Sequence, residues 1–408
     1  MPHIVANVAK RPRGGKQMRP QETCMRRPRL SVAMIARNEE AFLADSIESV
    51  QTFADEIVVL DTGSTDRTVA VAAGLGAVVQ SMPWPHDFSA ARNHCLELLT
   101  GDWALWLDAG ERVSADSAAT LRAFVDRKAD PDKVYRIMIE APAAGGGIAG
   151  EEVARLRLMP IGVGLKFQGR VRETLRPAID AACMGIETAP GRITRHRRQH
   201  DQAWKTLKGD RDLTLAALET AEHAAPVPRL LMAEAAAYAN MGMLDQARRA
   251  FRAAIDALPC ASTEMLEAYY GLMTCYACDP FLGHHQLGVC LEALEIYPVD
   301  TQLLLALGNC LSAANRSALA IRAFETAVHY GQVNVETWHL CGIEQVAEMC
   351  LNAALGLGKP EPVRPAPGLP TEDGAGHSLR IDQHGVPHEV VRPRLPMVGE
   401  AFSSETIS

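Results

Sequence analysis

Short apolar segments alternate with helical stretches through the first half of the chain, and this alternation limits the fold more than any other feature. The apolar runs 30–36, 56–61 and 103–108 have the length and composition of buried strands. Helical spacing of apolar residues fills the stretches between them. Alternating strands and helices with short connections predict an α/β fold with a mixed, mainly parallel sheet flanked by helices. Two further runs, 134–139 and 153–158, predict an antiparallel addition.

A second pattern begins after residue 200, where the chain becomes almost wholly helical and rich in alanine and leucine. Starting at Pro228 and again near Thr301, small and large residues follow the order of tetratricopeptide repeats, in which two antiparallel helices nest. A degenerate unit ending at Pro298 and a partial unit from Trp338 complete a predicted all-α solenoid. The matching positions are Leu231, Ala235, Tyr238, Gly242, Ala247, Phe251, Ala254 and Pro259, then Leu307, Gly308, Leu311, Ala320, Phe324 and Ala327.

Composition divides the chain into four regions. Residues 1–28 are basic and unpatterned, which predicts a disordered N-terminal arm. Residues 29–200 hold the α/β pattern and residues 201–357 the helical one. The proline-dense segment 358–408 is predicted to be a disordered tail.

Charge and composition exclude several classes of protein. The 408 residues include 41 basic and 49 acidic side chains, a net charge of -8, which argues against a nucleic-acid binder. No run of about 18 apolar residues predicts a transmembrane segment, and the N-terminus lacks the apolar region of a signal peptide. Ten cysteines, mostly in helical segments, are expected to be free thiols in a reducing cytoplasm. The excess of arginine over lysine is associated with bacterial genomes of high GC content.

Carboxylates end two of the predicted strands. Asp61 and Asp108 both lie at the carboxyl end of a strand, where sheets of this type bind ligands. The polar turn 62–66 then precedes a helix N-terminus, whose backbone N–H groups favour anions. Asp66 has a competing interpretation as the cap of that helix. The sequence therefore predicts a ligand site at this edge of the sheet.

Four motifs in order resemble a family 2 glycosyltransferase of the GT-A fold, in the bacterial branch that carries tetratricopeptide repeats behind the catalytic domain. The motifs are 31–39 (SVAMIARNE), 57–66 (IVVLDTGSTD), 88–93 (FSAARN) and 101–111 (GDWALWLDAGE), followed by 167–173 (FQGRVRE). The resemblance implies that a sugar moves, with inversion, from a nucleoside-diphosphate sugar to an acceptor hydroxyl. It also implies that the repeats hold a glycan or protein acceptor or a protein partner.

The same resemblance assigns roles to individual residues. Glu173 is the candidate general base, and Glu111 the second candidate catalytic residue. Asp108 and Glu111 are the candidate ligands of a divalent metal, Mn²⁺ or Mg²⁺. The candidate donor-binding residues are Ala36, Arg37, Glu39, Asp61, Arg92, Asp108 and Arg172.

Two positions depart from the family pattern. The family normally reads Asp-x-Asp-Glu where this chain has Asp108-Ala-Gly-Glu111, so Gly110 stands where a metal-binding aspartate is expected. A hard cation needs only one or two carboxylates beside the phosphates, which keeps a role for Glu111 open. Arg172 stands where the family often has histidine; it either contacts the diphosphate or forms a plain ion pair with Glu173. Arg92 and Asn93 either steady the phosphates or tie their helix to the sheet.

These departures leave two functions open. The first is an active glycosyltransferase, favoured by the presence of Asp61, Asp108, Glu111 and Glu173. The second is a binding or scaffold protein on the same fold that has lost turnover, favoured by Gly110 and Arg172.

Overall fold

A computed structural model describes residues 26–143, 150–196, 202–279, 281–331 and 333–356 of the chain. The predicted tail, most of the predicted N-terminal arm and most of the Gly-rich loop after residue 143 lie outside these ranges. The strands are β1 (Leu30–Ala36), β2 (Glu56–Asp61), β3 (Val78–Ser81), β4 (Trp103–Trp106), β5 (Glu111–Val113), β6 (Lys133–Ala141), β7 (Glu151–Pro160), β8 (Gly185–Arg195) and β9 (His339–Leu340).

Helices occupy the connections of the sheet and most of the second half. They are α1 (Leu43–Val50), α2 (Thr68–Gly74), α3 (Phe88–Glu97), α4 (Ala115–Arg127), α5 (Arg176–Ala181), α6 (Gln202–Thr220), α7 (Pro228–Asn240), α8 (Leu244–Ala257), α9 (Thr263–Ala277), α10 (Gly283–Ile296), α11 (Thr301–Ala313), α12 (Ser317–Tyr330) and α13 (Ile343–Ala354).

The strands form one mixed sheet in the order β3-β2-β1-β4-β7-β6-β8-β5, with β9 added beside β7. From β3 to β4 the pairs are parallel, as the strand–helix alternation predicts; β7 is antiparallel to both β4 and β6, and β6 is parallel to β8. A short turn joins β4 to β5, yet β5 pairs with β8 at the far end of this order. The sheet must therefore curl. The predicted fold class is confirmed.

Both faces of the sheet are covered. One face packs Val32, Met34 and Val59 against α1, α2 and α4. On the other face, the buried Ile35 and Leu60 share a core with α3. The first helices of the predicted repeat region extend this second core, because Leu215 of α6 and Leu230 of α7 belong to it. The boundary placed at residue 200 stays a prediction.

Consecutive helices pack in pairs through the repeat region, α7 with α8 and α11 with α12. Gly308 shows why the repeat pattern requires a small residue, since a β-carbon there would overlap the ring of Phe324. The partial unit predicted from Trp338 differs: His339 and Leu340 pair with β7 instead of starting a helix. That segment joins the sheet because its backbone completes an edge beside Glu151 and Glu152. Within the described ranges, no helix is both long and apolar enough to span a bilayer.

Candidate active site

The carboxyl ends of β2, β1 and β4 lie side by side and form the floor of the site. Asp61 ends β2 and pairs with Ala36, the last residue of β1, while Trp106 at the end of β4 pairs with Ala33 of β1. Only β1 separates the two outer strands, so at about 4.8 Å per strand their ends are roughly 10 Å apart. Asp61 and Asp108 thus flank the end of one strand, and both are buried.

Two loops are fastened to each other above Asp61. The Asp61 carboxylate accepts hydrogen bonds from the backbone N–H groups of Gly63 (3.1 Å) and Ser64 (3.2 Å). Asn38, in the left-handed region at φ 57°, accepts from the N–H of Thr65 (2.8 Å) and donates its own N–H to the Ser64 hydroxyl (2.9 Å). Asp61 therefore stabilises its own loop, and its role in binding a nucleotide stays a prediction. The loops 37–40 and 62–66 are named here the rim loops.

Three more of the candidate donor-binding residues, Ala36, Arg37 and Glu39, lie in or beside the rim loops. Ala36 is buried and its carbonyl accepts from Thr62 N–H (3.0 Å), whereas the Arg37 side chain is exposed. Glu39 is buried, and its N–H donates to the Thr68 hydroxyl (2.7 Å). Asp66 lies one residue before the N-cap of α2, Arg67, and accepts from the N–H of Thr68 (2.9 Å), a local turn at the start of that helix.

A network of arginines binds the carboxylates after β4. One guanidinium nitrogen of Arg157, Nη2, donates to Asp108 Oδ2 (2.8 Å) and to Glu111 Oε1 (2.6 Å). Arg195 also donates to Glu111 Oε1 (3.0 Å), and the indole of Trp106 donates to Asp108 Oδ1 (3.1 Å). Burial would raise the pKa of Asp108, but Arg157 and then Arg92 outweigh it and lower that pKa to about 2. Asp108 is therefore ionised at neutral pH.

This arrangement does not fit a divalent metal held by Asp108 and Glu111. Carboxylate ligands must lie within about 2.6 Å of such a cation, and here the Arg157 nitrogen bridges the two carboxylates. No group of three metal-binding side chains occurs among the described residues. Metal binding by these two residues remains a sequence prediction, and no step below uses it.

The backbone of Gly110 has a conformation that favours glycine, and two hydrogen bonds hold it in place. Its φ is 87°, its N–H donates to the Ser46 hydroxyl (2.8 Å), and its carbonyl accepts from the N–H of His196 (2.7 Å). Residues with a β-carbon rarely adopt this conformation. The glycine at this departure from the family pattern is thus suited to its turn.

Arg92 connects Asp108 with Glu173. Its Nε donates to Glu173 Oε1 (2.5 Å), its Nη1 lies 3.7 Å from Asp108 Oδ1, and its guanidinium stacks over the ring of Trp106. The other oxygen, Glu173 Oε2, is buried and accepts no hydrogen bond from the described part of the chain. Burial raises the pKa of Glu173, although Arg92 partly offsets the effect. The neighbouring Asn93 clasps the backbone of Phe167 through two hydrogen bonds.

Arg172 faces the repeats. Its φ is 50°, and one guanidinium nitrogen donates to both carboxylate oxygens of Glu267 on α9, at 2.9 Å each. Burial would raise the pKa of Glu267, but Arg172 and Arg155 lower it. The structure therefore separates Arg172 from Glu173, with which the sequence paired it as one alternative.

Four charged residues of this network were not predicted: Arg155, Arg157, Arg195 and Glu267. A signal for Arg157 existed in the sequence, because 153–158 is a strand-like apolar run interrupted by Arg155 and Arg157. Arginine inside a buried strand requires a carboxylate partner or a ligand. No comparable signal marks Arg195 or Glu267.

Comparisons with known proteins show what part of the first half of the chain is similar to. Residues 31–131 match the family described as Glycosyl transferase family 2. A TPR repeat-containing protein of Synechococcus elongatus is 37% identical over 127 residues, which is 31% of this chain and 31% of that protein. An uncharacterized glycosyltransferase of Rickettsia felis is 39% identical over 88 residues, 22% of this chain and 31% of that protein.

A solved structure is also similar: glucosyl-3-phosphoglycerate synthase from Mycobacterium tuberculosis with Mn²⁺, UDP and glucosyl-3-phosphoglycerate. It has 18% sequence identity and a TM-score of 0.33, covering 47% of this chain and 79% of that chain. This chain spans about a third of the length of the curated relatives that it matches. The predicted resemblance is confirmed at its coarse level: residues 31–131 match the family 2 glycosyltransferase domain.

Proposed function

We propose that this protein is an inverting glycosyltransferase that moves a sugar from a nucleoside-diphosphate sugar to an acceptor hydroxyl. The observation that carries the proposal is the adjacency of three groups: Asp61 under the rim loops, Asp108 two strands away, and Glu173 joined to Asp108 through Arg92. A carboxylate for the nucleoside and a buried base lie on opposite sides of one strand end. The family match of residues 31–131 supports the same reaction class.

Glu173 is suited to accept the proton of the acceptor. In the transfer, the acceptor oxygen forms a bond with the anomeric carbon, and the bond from that carbon to the diphosphate oxygen breaks. The electron pair leaves with the nucleoside diphosphate, and the hydroxyl proton goes to Glu173 Oε2, which has no hydrogen-bond partner among the described residues. A carboxylate with a raised pKa is a better base near neutral pH than an ordinary one.

The repeats are proposed to hold the acceptor or a partner protein. Paired helices of this type build a surface along which an extended ligand lies. The ion pair between Arg172 and Glu267 of α9 links the degenerate repeat unit to the loop that carries Glu173. Glycan and protein acceptors both remain within this proposal.

A catalytically impaired binding protein is the second candidate. The observation that favours it is the bridge formed by Arg157, which engages both Asp108 and Glu111. Such a protein would bind the nucleotide through Asp61 and the rim loops without turning it over.

Release of nucleoside diphosphate from a panel of UDP-, GDP- and ADP-sugars, with water as acceptor, tests whether the protein is an enzyme. The wild-type chain is expected to hydrolyse at least one donor. Glu173→Gln should reduce that rate by about 10²- to 10⁴-fold, since a positioned base contributes this much. Glu97→Gln is the matched control, because the Glu97 side chain is 62% exposed on α3.

The outcomes separate the two candidates. Nucleotide binding with no turnover of any donor would favour the binding protein. If the wild-type chain turns over a donor and Glu173→Gln does so equally fast, Glu173 is not the general base, but the protein is still an enzyme. Neither binding nor turnover would contradict both.

A further inference from the structure

We propose that arginine side chains of this chain, with Arg157 at their centre, bind the diphosphate of the nucleotide and replace the divalent cation, so that diphosphate binding requires no metal. This inference rests on the proposed function and names the charge that receives the diphosphate at that site. It starts from the misfit described above, in which the position between Asp108 and Glu111 belongs to a guanidinium nitrogen.

The location of Arg157 suits a group that receives the diphosphate. Arg157 lies on β7, next to β4, and its side chain reaches the turn between β4 and β5. Its Nη2 contacts one oxygen each from Asp108 and Glu111, the two carboxylates implied as metal ligands. A positive charge is therefore already present where the leaving diphosphate needs one.

Arg157 has a hydrogen-bond donor that no acceptor among the described residues uses. Arg157 is only 6% exposed, and its Nε is buried without a hydrogen-bond partner among the described residues. A buried N–H without an acceptor costs free energy, and a phosphate oxygen would supply the acceptor. Glu173 Oε2 is the complementary case, a buried acceptor without a donor. A diphosphate oxygen would supply the acceptor for Arg157 Nε, and the hydroxyl of the sugar acceptor would supply the donor for Glu173 Oε2.

The network of ion pairs around Arg157 has a net positive charge. Arginines outnumber carboxylates by one in this group of described residues, so the group has a positive charge left for an anion. Burial, the largest cause, lowers the pKa of Arg155; Glu267 opposes this effect and the neighbouring arginines add to it. The arginines are Arg92, Arg155, Arg157, Arg172 and Arg195, and the carboxylates are Asp108, Glu111, Glu173 and Glu267.

A purely structural ion pair is the competing explanation, because buried pairs of this kind also occur in folds without a ligand. The two explanations differ for Arg157→Lys. A lysine keeps the positive charge beside Asp108 and Glu111, but it removes Nε and the planar fork that binds phosphate. A structural pair would tolerate the change, whereas a diphosphate site would not.

The experiment is calorimetric titration of the full chain with UDP, GDP, ADP and CDP, in EDTA and again with Mn²⁺. At least one nucleotide is expected to bind, with dissociation constants in EDTA and Mn²⁺ within about threefold of each other. Arg157→Lys should weaken that nucleotide about tenfold or more, in the range of a charged hydrogen bond, and leave its nucleoside unaffected. Arg112→Gln is the control, since Arg112 is an exposed arginine of β5 paired with Asp45.

A second variant guards against misfolding. If Arg157→Lys does not give a folded chain by circular dichroism, Arg157→Gln combined with Glu111→Gln removes one charge of each sign and is titrated instead. Binding that strengthens tenfold or more with Mn²⁺, or an unchanged affinity in the folded variant, would overturn this inference and leave the proposed function standing. Absence of binding by all four nucleotides would overturn both.

Discussion

The two sides of the candidate site are held together by different forces. Around Asp61, side-chain oxygens of neighbouring segments accept hydrogen bonds from backbone N–H groups: Thr65 N–H donates to Asn38, and Ser64 N–H donates to Asp61. Around Asp108, ionised side chains distant in sequence meet, such as Arg157 with Glu111 and Arg92 with Glu173. The first side is a framework of local turns, and the second is a balance of buried charges.

This difference has a consequence for mutation. Removing one neutral hydrogen bond costs about 1 kcal/mol, and water or a small backbone shift replaces part of it. Removing one member of a buried ion pair leaves its partner charged and unpaired, which costs about 3–5 kcal/mol. The charged side of the site should therefore be far less tolerant than the rim loops.

The largest expected effect comes from Asp108→Ala. This change leaves Arg157 with one carboxylate fewer and the buried Trp106 indole without its acceptor, so we expect a loss of about 3–5 kcal/mol in the free energy of unfolding. Asp61→Ala, which removes a carboxylate that binds backbone N–H groups, should cost about 1–2 kcal/mol, like a lost cap. Urea unfolding followed by circular dichroism measures both. Equal losses in the free energy of unfolding for Asp108→Ala and Asp61→Ala would contradict the proposed difference between the two sides of the site.

The second effect concerns Arg172 and its partner Glu267, whose side chains are 16% and 19% exposed. We expect Arg172→Ala to cost about 2 kcal/mol, less than a fully buried pair because of this exposure. Arg172→Gly should cost about 1 kcal/mol less than Arg172→Ala, since glycine accepts the φ of 50°.

A double-mutant cycle with Glu267→Gln isolates the pair. We expect a coupling of about 1–2 kcal/mol between the two positions. A coupling near zero would mean that other contacts hold the helices beside the Glu173 loop, such as the hydrogen bonds from Arg170 N–H to Glu219 and from Arg229 to the Val171 carbonyl.

The sequence predicted the local side of the site and the carboxylates of the charged side, but it missed Arg157 and Arg195 as partners of those carboxylates. Asp61, the rim loops and the strand ends are readable because each follows from residues close in the chain, namely apolar runs that end in a carboxylate and a polar turn. The contacts of Glu111 with Arg157 and Arg195 span 46 and 84 residues. No periodicity reports such contacts, because they depend on how the sheet curls.

The same reason explains which elements were predicted. Strands β1, β2, β6 and β7 are apolar runs and were identified with near-correct bounds. Strand β8 was missed because six of its 11 residues are exposed and its apolar residues Ile186, Ala189 and Ile193 do not alternate at every second position. Strand β9 interrupts a segment predicted as a partial repeat. Pairing with a distant strand determined its conformation.

The third effect is a pH dependence of stability that originates at the repeats. Arg172 and Arg155 lower the pKa of Glu267 against the effect of burial, so the unfolded chain binds the proton more tightly than the folded chain does. The stabilisation is therefore complete above the unfolded value of about 4.3 and is lost as pH falls below it. Unfolding titrations of wild type and Glu267→Gln between pH 6 and pH 3 measure this. The decline should be shallower in the variant, and identical slopes would contradict the assignment.

The smallest effect tests the rim loops. Asn38→Gly should cost about 1 kcal/mol, because it removes the acceptor of Thr65 N–H while the backbone keeps its φ of 57°. Asn38→Ala should cost about 1 kcal/mol more, since alanine is strained in that conformation. Urea unfolding gives the difference, with Asp116→Ala, on an exposed turn of α4, as control. If Asn38→Ala cost as much as Asp108→Ala, the rim loops would be as intolerant as the charged side. The site would then have to be treated as one cooperative unit.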